Sequence, residues 1–277
     1  METPDWIYDP SASRFSKRTT SPILLLKSEV ICYLLLAHQP PALIGKMLER
    51  WRLFCQPPSQ LLLCYGGSRE NFDKIEYPSK IFLDDPRLRT VDHQREKQSY
   101  TQMFQKAARW LRDHPECASI YVAEYDHWPL VKDIGHRLIK RLNREKADVL
   151  GHQLGRRDQT SCPYYLYHLS DARFLPWLKE ISRRTEPGVV FNMFGSGSFW
   201  TREAFLAVAQ AGEPFPIYLE TFLPTLAHHL GFRVRDFQEQ NRFVYPHGDR
   251  HNEIEKAQTQ GAWTLHPVKT WPSQDIS

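Results

Sequence analysis

The sequence predicts an α/β domain built on a mainly parallel central sheet with helices on both faces. The chain has 277 residues, of which 41% are hydrophobic, enough for the core of one large domain or two small ones. Short apolar runs of strand length alternate with segments in which apolar residues recur at spacings of three and four. Strand and helix alternating in this way is typical of doubly wound sheets.

The first half of the chain carries this alternation. Apolar runs predict strands at 31–37, 60–65, 80–83, 119–123 and 148–150, and helical periodicity predicts helices near 43–51, 98–112 and 134–142. The right-handed crossover rule places the carboxyl ends of such strands on one edge of the sheet. Ligands of doubly wound sheets bind outside that edge, so we expect the functional residues there.

The second half is less regular. Asp171 is predicted to cap a helix over 174–181, and residues 191–199 are predicted to form a Gly/Ser-rich loop. The remaining predictions are a helix over 202–210 capped by Thr201, a helix over 220–230 ended by Gly231, and strands at 233–237 and 262–265.

Composition limits the class of protein. Residues 1–21 form a polar lead-in, and 22–277 are interpreted as one domain with halves at about 22–150 and 151–277. No run of about 18 uncharged apolar residues predicts a membrane span. The net charge of +4 does not favour nucleic-acid binding. Five cysteines without a CxxC pair predict reduced thiols and a cytoplasmic protein.

Two carboxylates, Glu124 and Asp126, follow the strand predicted at 119–123. Paired acids at the carboxyl edge of a sheet can bind a divalent cation and, through it, phosphate groups. The same pattern is common in solvated loops, so the two residues alone leave both interpretations open.

Three further features could carry chemistry. A short strand near the carboxyl terminus delivers His266 and then Lys269, and Glu220 opens a predicted helix, where the dipole favours its charge. Each has an ordinary structural alternative, as a strand end or a helix-start acid. Gly195 and Gly197 permit close approach of the backbone to a ligand, but they do not follow the first strand, which excludes a dinucleotide fingerprint.

In their order along the chain, these features resemble the glycosyltransferases of the Rossmann-like GT-A fold, which use nucleotide-diphosphate sugars. The resemblance rests on the strand ending in Ala37-His38, on Glu124-Tyr-Asp126, on Gly195-Ser-Gly197-Ser-Phe-Trp, on Glu220 and on His266-Pro-Val-Lys269, and it spans about 30–270. The opening segment is also similar to that of branching N-acetylglucosaminyltransferases.

The resemblance implies a metal site. In such enzymes an Asp-x-Asp motif at a strand end binds Mn²⁺ or Mg²⁺ together with the diphosphate. Asp126 matches the principal ligand, Glu124 stands where the family more often has Asp, and His266 matches a late histidine that completes the site. The substitution at Glu124 weakens the role of that residue more than the role of Asp126.

The resemblance also implies positions for the two substrates. Glu220 matches the base that deprotonates the acceptor hydroxyl in inverting members, which transfer a hexosyl or N-acetylhexosaminyl group. The donor, linked to UDP or GDP, is expected to contact His38, Gly66 and Lys269, while the donor sugar and the carbohydrate or other hydroxyl acceptor face Gly195, Ser196, Gly197 and Trp200.

Other interpretations stay open at this point. A nucleotidyltransferase or metal-dependent phosphohydrolase would use the same acids without a base at Glu220, and a non-catalytic carbohydrate- or nucleotide-binding relative would need no base either. Three minor clusters favour ordinary roles. The segment His247-Gly-Asp249-Arg-His251 is expected to be a solvated loop, with a separate metal site as the alternative, and the pair His228-His229 cannot share one helix face, which disfavours a bidentate site. The third cluster is the set of basic residues of 137–146. The last is expected to be a solvated helix face, with a polyanion- or peripheral membrane-facing surface as the alternative.

Overall fold

A computed structural model describes residues 6–9, 14–17, 30–56, 58–89, 100–158, 171–211 and 217–271. Its centre is a seven-stranded sheet, ordered β10-β8-β9-β6-β3-β4-β5. All neighbouring pairs in it are parallel except the two formed by β9, which runs antiparallel to β6 and β8. The predicted mainly parallel α/β sheet is therefore confirmed.

The strands of this sheet are β3 (Val30–Ala37), β4 (Ser59–Tyr65), β5 (Lys80–Phe82), β6 (Cys117–Glu124), β8 (Val149–Arg156), β9 (Phe191–Thr201) and β10 (Val234–Asp236). Two small antiparallel pairs lie apart from it: β1 (Trp6–Asp9) with β2 (Arg14–Lys17), inside the polar lead-in, and β7 (Trp128–Pro129) with β11 (Thr264–Leu265). Each strand predicted from an apolar run is present at its place in the chain.

The helices are α1 (Pro41–Phe54), α2 (Arg69–Lys74), α3 (Tyr100–Arg112), α4 (Ile134–Arg144), α5 (Phe174–Ile181), α6 (Arg202–Ala211), α7 (Leu219–His229) and α8 (Ile254–Thr259), with 3₁₀ turns at Pro86–Arg89, Gln238–Phe243 and His251–Glu253. One core cluster packs α3, α5, α6 and α7 on one face of the sheet, and a second packs α1 and α4 on the other. Because helices cover both faces of the sheet, both faces of its strands are buried. Apolar residues in the strands therefore do not alternate with polar ones.

The prediction of a loop over 191–199 is wrong. Strand β9 covers this segment and pairs with β6 and β8, and Phe199 and Trp200 pack into the two different core clusters. Its glycines suggested a turn, but irregular register against β8, between Leu150 and Gly155, accommodates the Gly195–Gly197 stretch within the sheet.

The predicted caps have different outcomes. Asp171 does not cap α5, because the helix begins at Phe174 and the Asp171 carboxylate accepts the backbone N–H of Arg173 instead. Thr201 does cap α6, since its Oγ1 accepts the N–H of Ala204 at 3.3 Å. Gly231 follows α7 with φ of +99°, the left-handed conformation that favours glycine at a helix end.

Two further findings concern membrane spans and thiols. Within the described residues no helix is both long and apolar enough to cross a bilayer. Cys32, Cys55, Cys64 and Cys117 are buried free thiols, while Cys162 lies outside the described residues.

Candidate metal centre and active site

Strand β6 and the β7–β11 pair bring three candidate ligands together. Asp126 follows β6, and β7 starts two residues later; β11 pairs with β7, which places His266 against Asp126 although the two are far apart in the chain. The His266 Nε2 atom lies 3.1 Å from Asp126 Oδ1 and 3.5 Å from Glu124 Oε2. The predicted proximity of Asp126 and His266 is therefore confirmed.

The donor set fits a divalent cation. One ligand atom from each of Glu124, Asp126 and His266 lies within 4.8 Å of the other two. Asp126 Oδ1 and His266 Nε2 are buried and, among the described residues, have no aligned hydrogen-bond partner, so their 3.1 Å contact is an ion-pair distance without hydrogen-bond geometry. Two carboxylates and one imidazole can hold Mn²⁺ or Mg²⁺, and these two buried atoms would be among the ligand atoms.

The charge state of His266 reflects this surrounding. Burial by itself would lower the pKa of the imidazole, but the carboxylates of Asp126 and Glu124 outweigh burial and raise the pKa to about 9. The metal-free site therefore holds a proton at neutral pH. A metal ligand must be the neutral imidazole, so metal binding would release this proton.

Residues 245–250 hold the segment that carries His266 through hydrogen bonds. His266 donates its Nδ1–H to the carbonyl of Tyr245 at 2.7 Å, which turns Nε2 toward the acids. The Asp249 carboxylate accepts the backbone N–H groups of Lys269 and Thr270, each at 2.9 Å. Despite an opposing effect of burial, these and neighbouring hydrogen bonds lower the pKa of Asp249 to about 2. The Asp249 cluster thus has a structural role beside the site.

A buried histidine that the sequence analysis did not single out stands next to Asp126. His127 is 1% exposed, and burial lowers its pKa well below the usual value, so the ring is neutral. Its nitrogens lie within hydrogen-bond distance of Ser196, Thr264 and Tyr121. A lone histidine in an apolar setting is usually structural, and only its position directly after Asp126 could have drawn attention to it.

Glu220 lies near the start of α7, as predicted, and accepts hydrogen bonds from Gly195 and Tyr218. Its Oε1 accepts the backbone N–H of Gly195 at 3.1 Å, and its Oε2 accepts the Tyr218 hydroxyl. These contacts tie the helix start to β9 and fix the direction of the carboxylate. A carboxylate oxygen can accept more than one hydrogen bond, which is the property that a base beside a substrate hydroxyl needs.

Glu220 and Glu124 line the same cavity. The partly exposed residues Glu124, Gly195 and Glu220 form its polar end. Its other walls are buried and mostly apolar, formed by Leu36, Met103, Phe104, Val122, Met193, Ser198, Trp200, Leu219, Leu223 and Pro224. The candidate base and one candidate metal ligand therefore border the same cavity.

The four residues predicted to face the sugars have different surroundings. Gly195 borders the cavity beside Glu220, and Ser196 is buried, with its Oγ accepting the Glu124 N–H at 3.1 Å. Gly197 packs against the rings of His127 and His152. Trp200 is fully buried between Phe104 and Phe205 and donates to Ser198 Oγ, so its indole belongs to the core.

The predicted donor-binding residues lie along the carboxyl edge of the sheet. His38 and Gly66 follow the neighbouring strands β3 and β4, and the Gly66 N–H donates to the Ala37 carbonyl at 2.8 Å. His38 is exposed and its ring meets Tyr125, which lies between Glu124 and Asp126. Lys269 is exposed beyond His266. Donor binding by the three residues remains a prediction.

The minor clusters have structural partners. His229 bonds Ser182 Oγ at 2.8 Å and the Val189 carbonyl at 2.7 Å, and His228 meets the Phe191 ring. On α4, Arg137 pairs with Asp133, and Arg141 and Arg144 with Glu239.

No family model matches the chain, and no curated protein matches it. Its structure is similar to solved glycosyltransferases, the class that the sequence resembles. One is a mannosyltransferase from Pyrobaculum calidifontis in complex with GDP-Man and Mn²⁺, with a TM-score of 0.43 and 12% identity over 74% of this chain and 54% of that one. Another is core-mannan synthase A from Aspergillus fumigatus in its Mn/GDP form, with a TM-score of 0.39 and 12% identity over 85% and 86%.

A third is the bifunctional glycosyltransferase WbbM in its apo form, with a TM-score of 0.44 and 9% identity over 93% of this chain and 48% of that one. The chain thus spans about half the length of WbbM and of the mannosyltransferase. Function must be argued from the chain's own residues, because similarity at this level does not specify it.

Proposed function

We propose that this chain is a metal-dependent glycosyltransferase that moves a sugar from a nucleotide-diphosphate donor to a hydroxyl acceptor. The observation that carries the proposal is the cluster of Glu124, Asp126 and His266 at the carboxyl edge of the sheet, with Glu220 and Glu124 lining the same cavity. A metal-ligand set beside a separate, fixed carboxylate provides the two functions that sugar transfer needs. One neutralises the leaving group, and the other takes a proton from the attacking hydroxyl.

Asp126 and His266 are the proposed ligands of Mn²⁺ or Mg²⁺, with Glu124 as a third group at the site. A divalent cation held there would neutralise charge on the diphosphate that departs. Burial suits this role, because the attraction between Asp126, 5% exposed, and a cation is screened less than at the surface.

Glu220 is the proposed base. Its carboxylate would accept the proton of the acceptor hydroxyl as that oxygen attacks the anomeric carbon. The N–H of Gly195 and the Tyr218 hydroxyl hold it in one orientation, which reduces the cost of positioning in the reaction. With Glu220 as the base that activates the acceptor hydroxyl, we infer attack opposite the leaving group and inversion of the anomeric centre.

The proposed donor is a nucleoside diphosphate sugar, linked to UDP or GDP. His38, Gly66 and Lys269 are its proposed contacts, since the first two end adjacent strands at the edge where ligands of such sheets bind. Lys269 is proposed to face a phosphate. The transferred group is proposed to be a hexosyl or N-acetylhexosaminyl unit, and the acceptor a carbohydrate or another hydroxyl compound. We infer that the enzyme is cytoplasmic, because thiols such as those of Cys32 and Cys64 stay reduced in the cytoplasm.

The test is hydrolysis and transfer with a panel of nucleotide sugars, with and without Mn²⁺, on the unaltered protein and on Glu220→Gln. We expect one donor to release its nucleoside diphosphate only with metal, and the variant to bind that donor but turn it over about a hundredfold more slowly. Arg173→Gln is the control. It removes the ion pair of Arg173 with Asp171, directly before α5, and should leave turnover unchanged.

Two outcomes would favour the other classes of protein. Metal-dependent cleavage of nucleotides without sugar transfer, unaffected by Glu220→Gln, would indicate a nucleotidyltransferase or phosphohydrolase. Binding of a nucleotide sugar with no turnover of any donor would indicate a non-catalytic relative.

A further inference from the structure

His127 lies at the centre of a buried network directly behind the candidate metal centre. Its Nδ1 is 3.0 Å from Ser196 Oγ, and its Nε2 is 2.8 Å from Thr264 Oγ1 and 3.0 Å from the Tyr121 hydroxyl. One ring thus joins three strands, β6, β9 and β11. We propose that His127 is a positioning residue that holds Glu124 and His266 in the geometry of metal ligands. The inference rests on the metal site of the proposed function.

The first connection runs to Glu124. Ser196 Oγ accepts the backbone N–H of Glu124 at 3.1 Å while it bonds His127 Nδ1. Through this hydroxyl, the imidazole fixes the backbone at the end of β6, from which the carboxylate of Glu124 extends. The link joins residues 72 positions apart, so it depends on β9 lying beside β6.

The second connection runs to His266. Thr264 precedes it by two residues on β11, and the bond from Thr264 Oγ1 to His127 Nε2 holds that strand. The rings of His127 and His266 are also close, with centroids 5.4 Å apart. Asp126, the neighbour of His127 in the chain, accepts the Val268 N–H at its carbonyl, 2.8 Å away. His127 is therefore braced against both strands that deliver ligands.

Gly197 is the residue that makes room for this ring. A Cβ at position 197 would lie 2.6 Å from His127 Cε1 and 3.0 Å from His152 Cδ2, and its φ of +79° is one that side chains rarely adopt. Contacts with His127 therefore account for Ser196 and Gly197, in addition to the approach of a ligand. Ser196 bonds the imidazole, and Gly197 leaves space for it.

Outer residues of this kind are known to alter metal affinity by about 10–100-fold when they are changed, because they orient the ligands. His127→Gln keeps an amide near the Nε2 position, and His127→Asn keeps one near Nδ1. Thr264→Val preserves shape and removes one link, and Ser196→Ala removes the other. We expect each His127 variant to weaken Mn²⁺ binding about 10–100-fold, with smaller losses for Thr264→Val and Ser196→Ala.

The measurement is the dissociation constant of Mn²⁺ from electron paramagnetic resonance of the free ion, together with unfolding in the absence of metal. His229→Gln and Ser182→Ala are matched controls, because they remove a part-buried His–Ser bond of 2.8 Å at the far end of α7 from Glu220. The controls should lose stability and keep their Mn²⁺ affinity. Near-ultraviolet circular dichroism selects the variants that retain native packing.

Three results would overturn the inference. Folded His127 variants with unchanged Mn²⁺ affinity show that the ring has no part in the site, although the metal site itself stands. If the His229 and Ser182 controls lose as much Mn²⁺ affinity as the His127 variants do, the role of His127 is purely structural. Absence of Mn²⁺ binding by the unaltered protein removes both the inference and the metal part of the proposed function.

Discussion

Gly197→Ala tests the packing of β9 against the buried histidines. The added Cβ would stand 2.6 Å from His127 Cε1, closer than real Cβ contacts, on a backbone with φ of +79°. The left-handed conformation costs about 1–2 kcal/mol for a residue with a side chain. Crowding in a close-packed interior typically costs about 1–3 kcal/mol more. We therefore expect a loss of about 2–5 kcal/mol in the free energy of unfolding.

Two other glycines separate the contributions to that loss. Gly261 has φ of +80° and nothing within 4 Å of an added Cβ, so Gly261→Ala should cost only the backbone part, about 1–2 kcal/mol. Gly45 is an open position inside α1, and Gly45→Ala should stabilise by about 1 kcal/mol through helix propensity. Urea unfolding of the three variants measures the differences. A Gly197→Ala protein no less stable than Gly261→Ala would refute the packing described for β9.

The remaining predictions concern the site. Asp126→Asn should weaken Mn²⁺ binding by about a hundredfold or more, measured by titration calorimetry, because it removes a buried anionic ligand; unchanged binding would exclude Asp126 from the site. Between pH 7 and 9, Mn²⁺ affinity should rise about tenfold per unit and level off above pH 9, because His266 with a raised pKa must first lose its proton; a flat profile would mean that this imidazole is not a ligand. UDP or GDP with Mn²⁺ should raise the melting temperature, since a ligand of the native state stabilises it by mass action, and no shift with any nucleoside diphosphate would favour a non-nucleotide ligand.

The strands at the carboxyl edge could be predicted because local patterns determine them, whereas the metal-ligand roles were expected only from the family resemblance. The strand before Glu124 is mostly apolar, with Ser119 as its one polar residue ahead of Glu124, so its buried place in the sheet follows from residue type. Asp126 and His266 were expected to lie close together because both follow short apolar strands expected in one sheet, but the strand before His266 belongs to a separate two-stranded sheet. The β7–β11 ladder that joins them has only two residues in each strand, which no local pattern specifies.

Strand β9 could not be predicted in the same way. Its Gly195-Ser-Gly197 stretch has the composition of a turn, and its extended form comes from pairing with β6 on one side and β8 on the other. Such pairing is a tertiary effect that overrides local preference. The roles of His127 and Gly197 stayed hidden for the same reason, because their contacts connect β6, β9 and β11.

The central claim is that Glu124, Asp126 and His266 hold a divalent cation. Anomalous diffraction from crystals grown with Mn²⁺ and a nucleoside diphosphate tests it directly. The account predicts a manganese peak within ligand distance of Asp126 and His266, with a diphosphate oxygen on the open side of the ion. A peak elsewhere, or none at saturating Mn²⁺ while the nucleotide is bound, would contradict it.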